Sequence, residues 1–386
     1  MVIDKRITQL DSIRGLASLS VFFSHIWPLF PGPFTSYLYV NTPVRMAVYG
    51  HGAVMLFFVL SGFVLTLPFL GHLKVSYKQF LIKRFFRIYI PYLAAIVVAM
   101  IAFRSSDPIQ GLGAWISELS TGKFSMKSIV DHLLLVGNYD TKRYDTVIWT
   151  LVQELRISLV FPILALLIVR AKWQLSLIVC LLLSSITSLN QLLEWEPVYG
   201  FKNSFSQTSH YCAIFIVGGL IAKHRLAFIH FYGRLPRRVK YASLALAMAL
   251  YTYGIKMQGA AIRMKLPFVG EVAQDYTIVA GIVSFLMIAL GSKKMSSLLS
   301  LKITRFFGDI SYSLYLWHII VLIGAIHLLH GVLPLVIIVL LVFCVTVAIS
   351  WLSYRYIELP AIKMGKRMTS GRKAKQRQQM HPEFKM

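Results

Sequence analysis

Ten runs of roughly 17 to 22 mostly apolar residues recur along this chain, each long enough to cross a hydrocarbon core of about 30 Å. They fall near residues 13–30, 50–70, 88–103, 149–169, 174–193, 208–223, 240–255, 272–290, 312–329 and 333–353. Nothing else in the sequence restricts the fold so strongly, because a backbone in lipid must satisfy its own polar groups, and helices do so within one segment. With 57% hydrophobic and 14% charged residues, the chain lies outside the range of a soluble domain. The expected fold is an all-α integral membrane bundle of about ten transmembrane helices. The first run is amphipathic and lacks a small-residue cleavage site, so it reads as a permanent helix rather than a signal peptide.

A net charge of +25 would suit a nucleic-acid binder, but its distribution points to topology instead. With a cytoplasmic N-terminus, about 29 of the 40 Lys and Arg fall on the cytoplasmic side and about 10 on the other, with Arg156 inside a span. The clusters Lys74 to Arg87, Lys223 to Lys240, Lys293 to Arg305 and the tail after Lys363 share that side. Both termini are therefore expected inside. Residues 1–362 form the expected transmembrane domain, and 363–386 a basic, disordered cytoplasmic tail attracted to anionic lipid. Cys180, Cys212 and Cys344 sit in predicted helices, where an apolar role suits them better than a disulfide. No metal-ligand, Walker or dinucleotide spacing and no internal repeat is visible, so neither a metal nor a nucleic-acid partner is expected. Two outer connections are long: 104–148, with Trp115, an amphipathic stretch from Ile129 to Val136 and Asn138, and 256–271. The first is the natural place for recognition of an outer ligand.

Against this apolar background, a few polar groups stand out. The first helix reads Leu10-Asp11-Ser12-Ile13-Arg14-Gly15-Leu16-Ala17 and carries His25 near its end. The eleven positions from Arg14 to His25 return to within about 20° of one face, about 16 Å along the axis. Asp11, Arg14, Ser18 and His25 thus form one polar stripe, and an ionisable residue at membrane depth marks a functional site by default. The competing reading is a packing histidine, with Asp11 as an N-cap and Arg14 as a positive-inside anchor. The fourth span enters from the outer side as Trp149-Thr150-Leu151-Val152-Gln153-Glu154-Leu155-Arg156. Its Glu154 lies about 9 Å from the outer end and His25 about 7 Å from the same surface. A carboxylate at the depth of a histidine can orient it and charge it as a general base, or can instead form an ion pair between helices. Arg84 and Arg87, at i and i+3 before the third span, share a face suited to a phosphate or to membrane anchoring. In the ninth span Ser311, Tyr315 and His318 lie on one stripe, facing a polar interior or partner helices. Ser61 and Gly62 in the second permit close approach of another helix or of a thin ligand chain.

Six segments in order resemble the acyltransferase 3 family of integral membrane acyltransferases. They are LDSIRGLASLSVFFSH from Leu10, FFVLSGF from Phe57, KRFFRIYIP from Lys83, WTLVQE from Trp149, FGDISYSLYLWH from Phe307 and YRYIELP from Tyr354. The resemblance implies a ten-helix bundle that passes an acyl group, most often acetyl, from cytoplasmic acyl-CoA to a hydroxyl, usually of a surface glycan. It implies that His25 and Arg14 are essential, that Arg84 and Arg87 are candidate contacts of the CoA phosphates, and that Glu154 matches the family's glutamate. It also implies a bacterial inner membrane. Leu155, Arg156 and Ser158 depart from the Glu, Gln and Tyr of many members, which bears on acyl or acceptor preference. Some members carry a fused esterase-like domain, whereas this chain ends soon after its last helix, and so is expected to deliver the acyl group itself or hand it to a separate partner.

Combining both readings, His25, Glu154, Arg14 and Asp11 are the expected catalytic residues. Arg84, Arg87, Arg14 and Ser61 are expected to hold acetyl-CoA as co-substrate. Trp149, Asn138, Tyr315, His318 and Arg156 are expected on the acceptor side. Neutral His25 would act as general base, or carry the acyl group itself in a ping-pong route. The expected partners are membrane lipid and a glycan or lipid-linked sugar. The alternatives are a small-molecule acceptor such as a macrolide, a glycan or lipid transporter, and a non-catalytic membrane partner protein. The sequence is compatible with a homodimer but does not give the oligomeric state, the acyl group or the position acylated.

Overall fold

The computed structural model describes residues 7–71, 75–103, 112, 116, 125–142 and 144–380. Trp115 lies outside them. Among the described residues the regular structure is helical, with no strand. The helices are α1 (Thr8–Ile26), α2 (Pro33–Asn41), α3 (Gly50–Thr66), α4 (Tyr77–Ala102), α5 (Met126–Leu134), α6 (Trp149–Arg170), α7 (Trp173–Leu193), α8 (Phe205–Arg234), α9 (Arg237–Tyr253), α10 (Lys256–Arg263), α11 (Pro267–Gly291), α12 (Lys293–Leu298), α13 (Lys302–Leu329), α14 (Leu335–Ser353) and α15 (Leu359–Met380). A short 3₁₀ segment, Pro43–Val48, links α2 to α3, and a π turn, Tyr354–Glu358, joins α14 to α15. The boundary expected at residue 362 falls within α15.

Eight segments among the described residues are long and apolar enough to cross a membrane. They coincide with eight of the ten expected runs. The other two runs also form helices. However, α9 has only 17 residues and opens on Arg237-Arg238-Val239-Lys240, and α1 carries the polar stripe. The 104–148 connection contributes α5, whose N-terminus is capped by the Ser125 hydroxyl accepting from Ser128 N at 3.1 Å. Tyr89 and Tyr92 of α4 donate to the carbonyls of Leu133 and His132 and so fasten α5 to the bundle.

Glycines set the closest helix contacts. Gly15 of α1 and Gly308 of α13 face each other, and a β-carbon on Gly308 would stand 2.6 Å from the Asp11 carbonyl. In the same way Gly62 of α3 abuts the Phe215 backbone of α8, and Gly218 abuts that of Val59. Small residues allow such approach because dispersion, not water release, drives helix association in lipid. The buried apolar side chains fall into two main clusters. One joins α1, α4, α13 and α14 around Phe22, Tyr92 and Leu316. The other joins α3, α6, α8 and α11 around Phe58, Phe161 and Phe215. The principal cavity opens along their seam.

Candidate active site

Where the two cores fail to meet, a cavity of about 1070 Å³ runs between α1, α3, α4, α6 and α13. It extends from the end where α1 begins and α3 finishes, at Asp11 and Gly71, to Thr150 and Tyr315 deeper in the bundle. Arg14 and Arg87 both line it. Neither guanidinium makes a hydrogen bond or close ion pair among the described residues, so each keeps its donors for a ligand. Arg84, expected to work beside Arg87, is placed differently. It is buried behind the cavity wall, where Nη2 donates to Glu154 Oε1 at 2.6 Å and Nε to Ser158 Oγ at 3.0 Å.

Glu154 therefore spends its charge on Arg84. Ser61, on α3, adds a hydrogen bond from Oγ to the same Oε1 at 3.3 Å. Asp11 lies in the first turn of α1 and is not its N-cap, because the helix begins three residues earlier at Thr8, with Ile7 as the cap. Ser18 turns back to donate to the Gly15 carbonyl at 2.8 Å, so of the stripe Asp11 and Arg14 face the cavity.

His25 sits at the other end of α1 with its ring against His318 of α13, centroids 5.3 Å apart. The two are joined to the cavity by a short polar track. Tyr315 lies one turn before His318, ring centroids 5.9 Å apart. Its hydroxyl bonds to Thr150 Oγ1 at 2.8 Å and to the Val147 carbonyl at 3.0 Å. Thr150 precedes Glu154 by one helical turn, and both line the cavity. His318 is fully enclosed, at 1% exposure. Its Nδ1 lies 3.1 Å from the Leu314 carbonyl, a contact that assigns the proton to Nδ1, and Nε2 has no hydrogen-bond partner. An enclosed imidazole with a fixed tautomer and a bare lone pair is suited to accept a proton.

The remaining expected residues are held elsewhere. Arg156 donates to the carbonyls of Val136, Gly137, Asn203 and Ser204 and to Thr208 Oγ1, at 2.7 to 3.2 Å, with Phe205 stacked on its guanidinium. It pins two connections to the bundle. Asn138 bridges Glu196 and the Pro197 carbonyl. Trp149 packs against Phe58, Phe201 and Tyr211.

Two groups of polar residues escaped the sequence reading. Glu358 is carried into the cavity by the π turn and accepts from Ser313 Oγ at 2.9 Å; π turns often serve functional sites. The available signal was the carboxylate in the YRYIELP segment, just past the last apolar run. The second group, on the far side of α3, joins Asp275 of α11 to His51 at 2.5 Å and His210 at 3.2 Å, and His210 to Ser184 at 2.9 Å. No spacing in sequence links those residues. Among the described residues no group of His, Cys, Asp and Glu is arranged to hold a metal.

A helical membrane bundle with a cavity lined by Arg14 and Arg87 toward one end and by Thr150 and Tyr315 deeper in defines a class of membrane protein with a ligand-sized chamber between its helices. The chain belongs to the acyltransferase family whose acyltransferase domain model matches residues 7–355. It is 24% identical over 373 residues to the peptidoglycan O-acetyltransferase OatA of Listeria monocytogenes serovar 1/2a, a match covering 94% of this chain. The chain spans 56% of that relative's length. No solved structure matches it. It is thus a member of the acyltransferase family with several membrane-length helices.

Proposed function

We propose that the protein transfers an acetyl group from cytoplasmic acetyl-CoA to a hydroxyl of a glycan or lipid-linked sugar at the opposite face of a bacterial inner membrane, with both termini in the cytoplasm. The observation that carries this reading is the continuity of the cavity, with two unspent guanidiniums, and the track through Thr150 and Tyr315 to His318 and His25. The CoA phosphates are too strongly hydrated to enter lipid, and Arg14 and Arg87 offer planar donor forks for them at the end where α1 begins. The pantetheine arm is thin enough to follow the cavity toward Tyr315. Glu154, held by Arg84 and Ser61, keeps the wall behind it polar and neutral overall.

At the histidine pair, one imidazole takes the proton of the acceptor hydroxyl as that oxygen attacks the thioester carbon. The carbon–sulfur bond breaks, the ester forms, and the imidazolium returns its proton to the leaving thiolate. His25 is the assigned base because it ends the stripe that begins at the phosphate end. His318 faces it, with its ring centroid 5.3 Å away. The 24% identity to a peptidoglycan O-acetyltransferase supports a glycan acceptor and an acetyl donor.

The test uses purified protein in lipid nanodiscs with [¹⁴C]acetyl-CoA and membranes of the native host as acceptor. Label should enter an alkali-labile glycan ester with the native chain and fail to enter with His25→Ala, while CoA binding persists in both. Absence of CoA binding by the native chain would return it to the transporter alternative.

A further inference from the structure

Opposite the cavity mouth, beside the end of α1, a further guanidinium lies buried with no carboxylate bonded to it among the described residues. Arg45 belongs to the 3₁₀ segment Pro43–Val48, whose neighbours include α1 and α2. The residue is 2% exposed. Its guanidinium is held between two tyrosine rings, Tyr39 of α2 at 4.4 Å and Tyr49 at 4.5 Å from the ring centroids. Its Nε and Nη2 have no hydrogen-bond acceptor among the described residues. Asp275 is committed to His51 and His210.

Those two nitrogens are not an arbitrary pair. Nε–H and Nη2–H point in parallel from one edge of the guanidinium, the edge that meets both oxygens of a carboxylate or phosphate in a bidentate contact. Leaving that edge buried and unsatisfied is costly unless a ligand completes it. The two stacked rings fix the plane of the fork before any ligand arrives. Tyr39 rides on α2, a nine-residue helix with no buried residue, so the roof over the site is the least anchored helix at this end of the bundle.

We propose that Arg45, with Tyr39 and Tyr49, binds an acidic group, a carboxylate or a phosphate, carried by the acceptor molecule. Naming the acceptor as its bearer rests on the acyl-transfer reading; the anion site itself does not. Arg45 then selects acceptors by charge at a point apart from the reacting hydroxyl.

The experiment measures binding of three sugars of one size to the native chain in nanodiscs, in the absence of CoA: glucose, glucuronate and glucose 6-phosphate. An acidic sugar should bind about tenfold or more tightly than glucose, and Arg45→Met should remove that preference. Preference for glucose 6-phosphate alone identifies a phosphate, as in a lipid-linked sugar. Preference that includes glucuronate identifies an acidic residue of the glycan itself. Equal binding or no binding of all three to the native chain, or a preference that survives Arg45→Met, overturns the proposal. Should Arg45→Met fail to fold, Tyr39→Ala, on the unburied helix, replaces it and should weaken the acidic preference at unchanged thermal stability; an unchanged preference in that variant also overturns it. Because CoA is not used, failure here leaves the acyl-transfer test untouched, and failure of acyl transfer leaves this one readable.

Discussion

The two polar regions inside this bundle handle charge in opposite ways. Around Asp275 the residues pair off: both carboxylate oxygens are taken by histidines, and His210 continues to Ser184 and Ser184 to Tyr276 at 2.8 Å. Around the cavity they do not, since Arg14 and Arg87 line open space and neither guanidinium is hydrogen-bonded among the described residues. A charge buried in a bundle must be compensated. Where protein supplies the compensation, the cluster ties α3, α8 and α11 together; where it does not, a ligand is expected to supply it. A charge inside the bundle thus becomes informative only once its partners are known.

The contrast is broken most sharply by changing the chemistry on the open side. His25→Ala should lower acetyl transfer by about 10²- to 10⁴-fold, the share general base catalysis contributes, with melting temperature and CoA affinity held. Single-turnover assays with radiolabelled acetyl-CoA measure it, and transfer within a factor of three of the native rate would remove His25 from the mechanism. On the closed side Asp275→Ala should do the reverse. Removing one partner of a buried pair costs about 3–5 kcal/mol, so thermal unfolding in detergent should shift strongly downward. The KM for acetyl-CoA of the protein that remains folded should not move. A raised KM at native stability would mean that the two regions are one site.

Arg84 and Arg87 give a finer version of the same contrast within a single helix face. Arg87→Ala should weaken CoA binding by about 1.5–3 kcal/mol, the worth of a hydrogen bond to a charged group, with kcat for bound substrate retained. Arg84→Ala should instead leave Glu154 without its cation and lower stability first. Equal KM effects in calorimetric titration of the two variants would abolish the distinction drawn here.

That distinction shows where sequence reasoning reached its limit. The apolar runs were legible because a membrane span needs a minimum length, and helical periodicity correctly carried Asp11 and Arg14 to one face. The same periodicity placed Arg84 and Arg87 together, as a helix must. It could not show that Glu154, 70 residues further on, would occupy one of them and so leave His25 to face His318. His51 and Asp275, 224 positions apart, meet because α3, α8 and α11 pack against one another, with Gly62 and Gly218 permitting the close approach of α3 and α8. Arg45 gave no signal at all, since an arginine in a polar connection is ordinary until its burial is seen. Composition and period locate helices, but which charges remain unspent is decided by contacts between them.

Asp145 tests the rule in a place that belongs to neither region. It lies just outside the membrane-spanning segments, 2% exposed, and its Oδ1 accepts from the Val147 N–H at 3.3 Å. Burial pushes its carboxyl well above the ordinary carboxylate range, and that single backbone bond opposes the shift only in part. A carboxyl whose folded value is raised holds its proton longer in the folded chain than in the unfolded one. The stability it permits is therefore present below the ordinary aspartate value and is lost as pH rises through the raised folded value. Asp145→Asn keeps the oxygen that accepts from Val147 and cannot ionise. The variant and the native chain should melt together near about pH 4, and the variant should melt higher at about pH 8. Coincident melting curves at both values would show that Asp145 is charged and compensated when folded, which would place it with the paired cluster around Asp275.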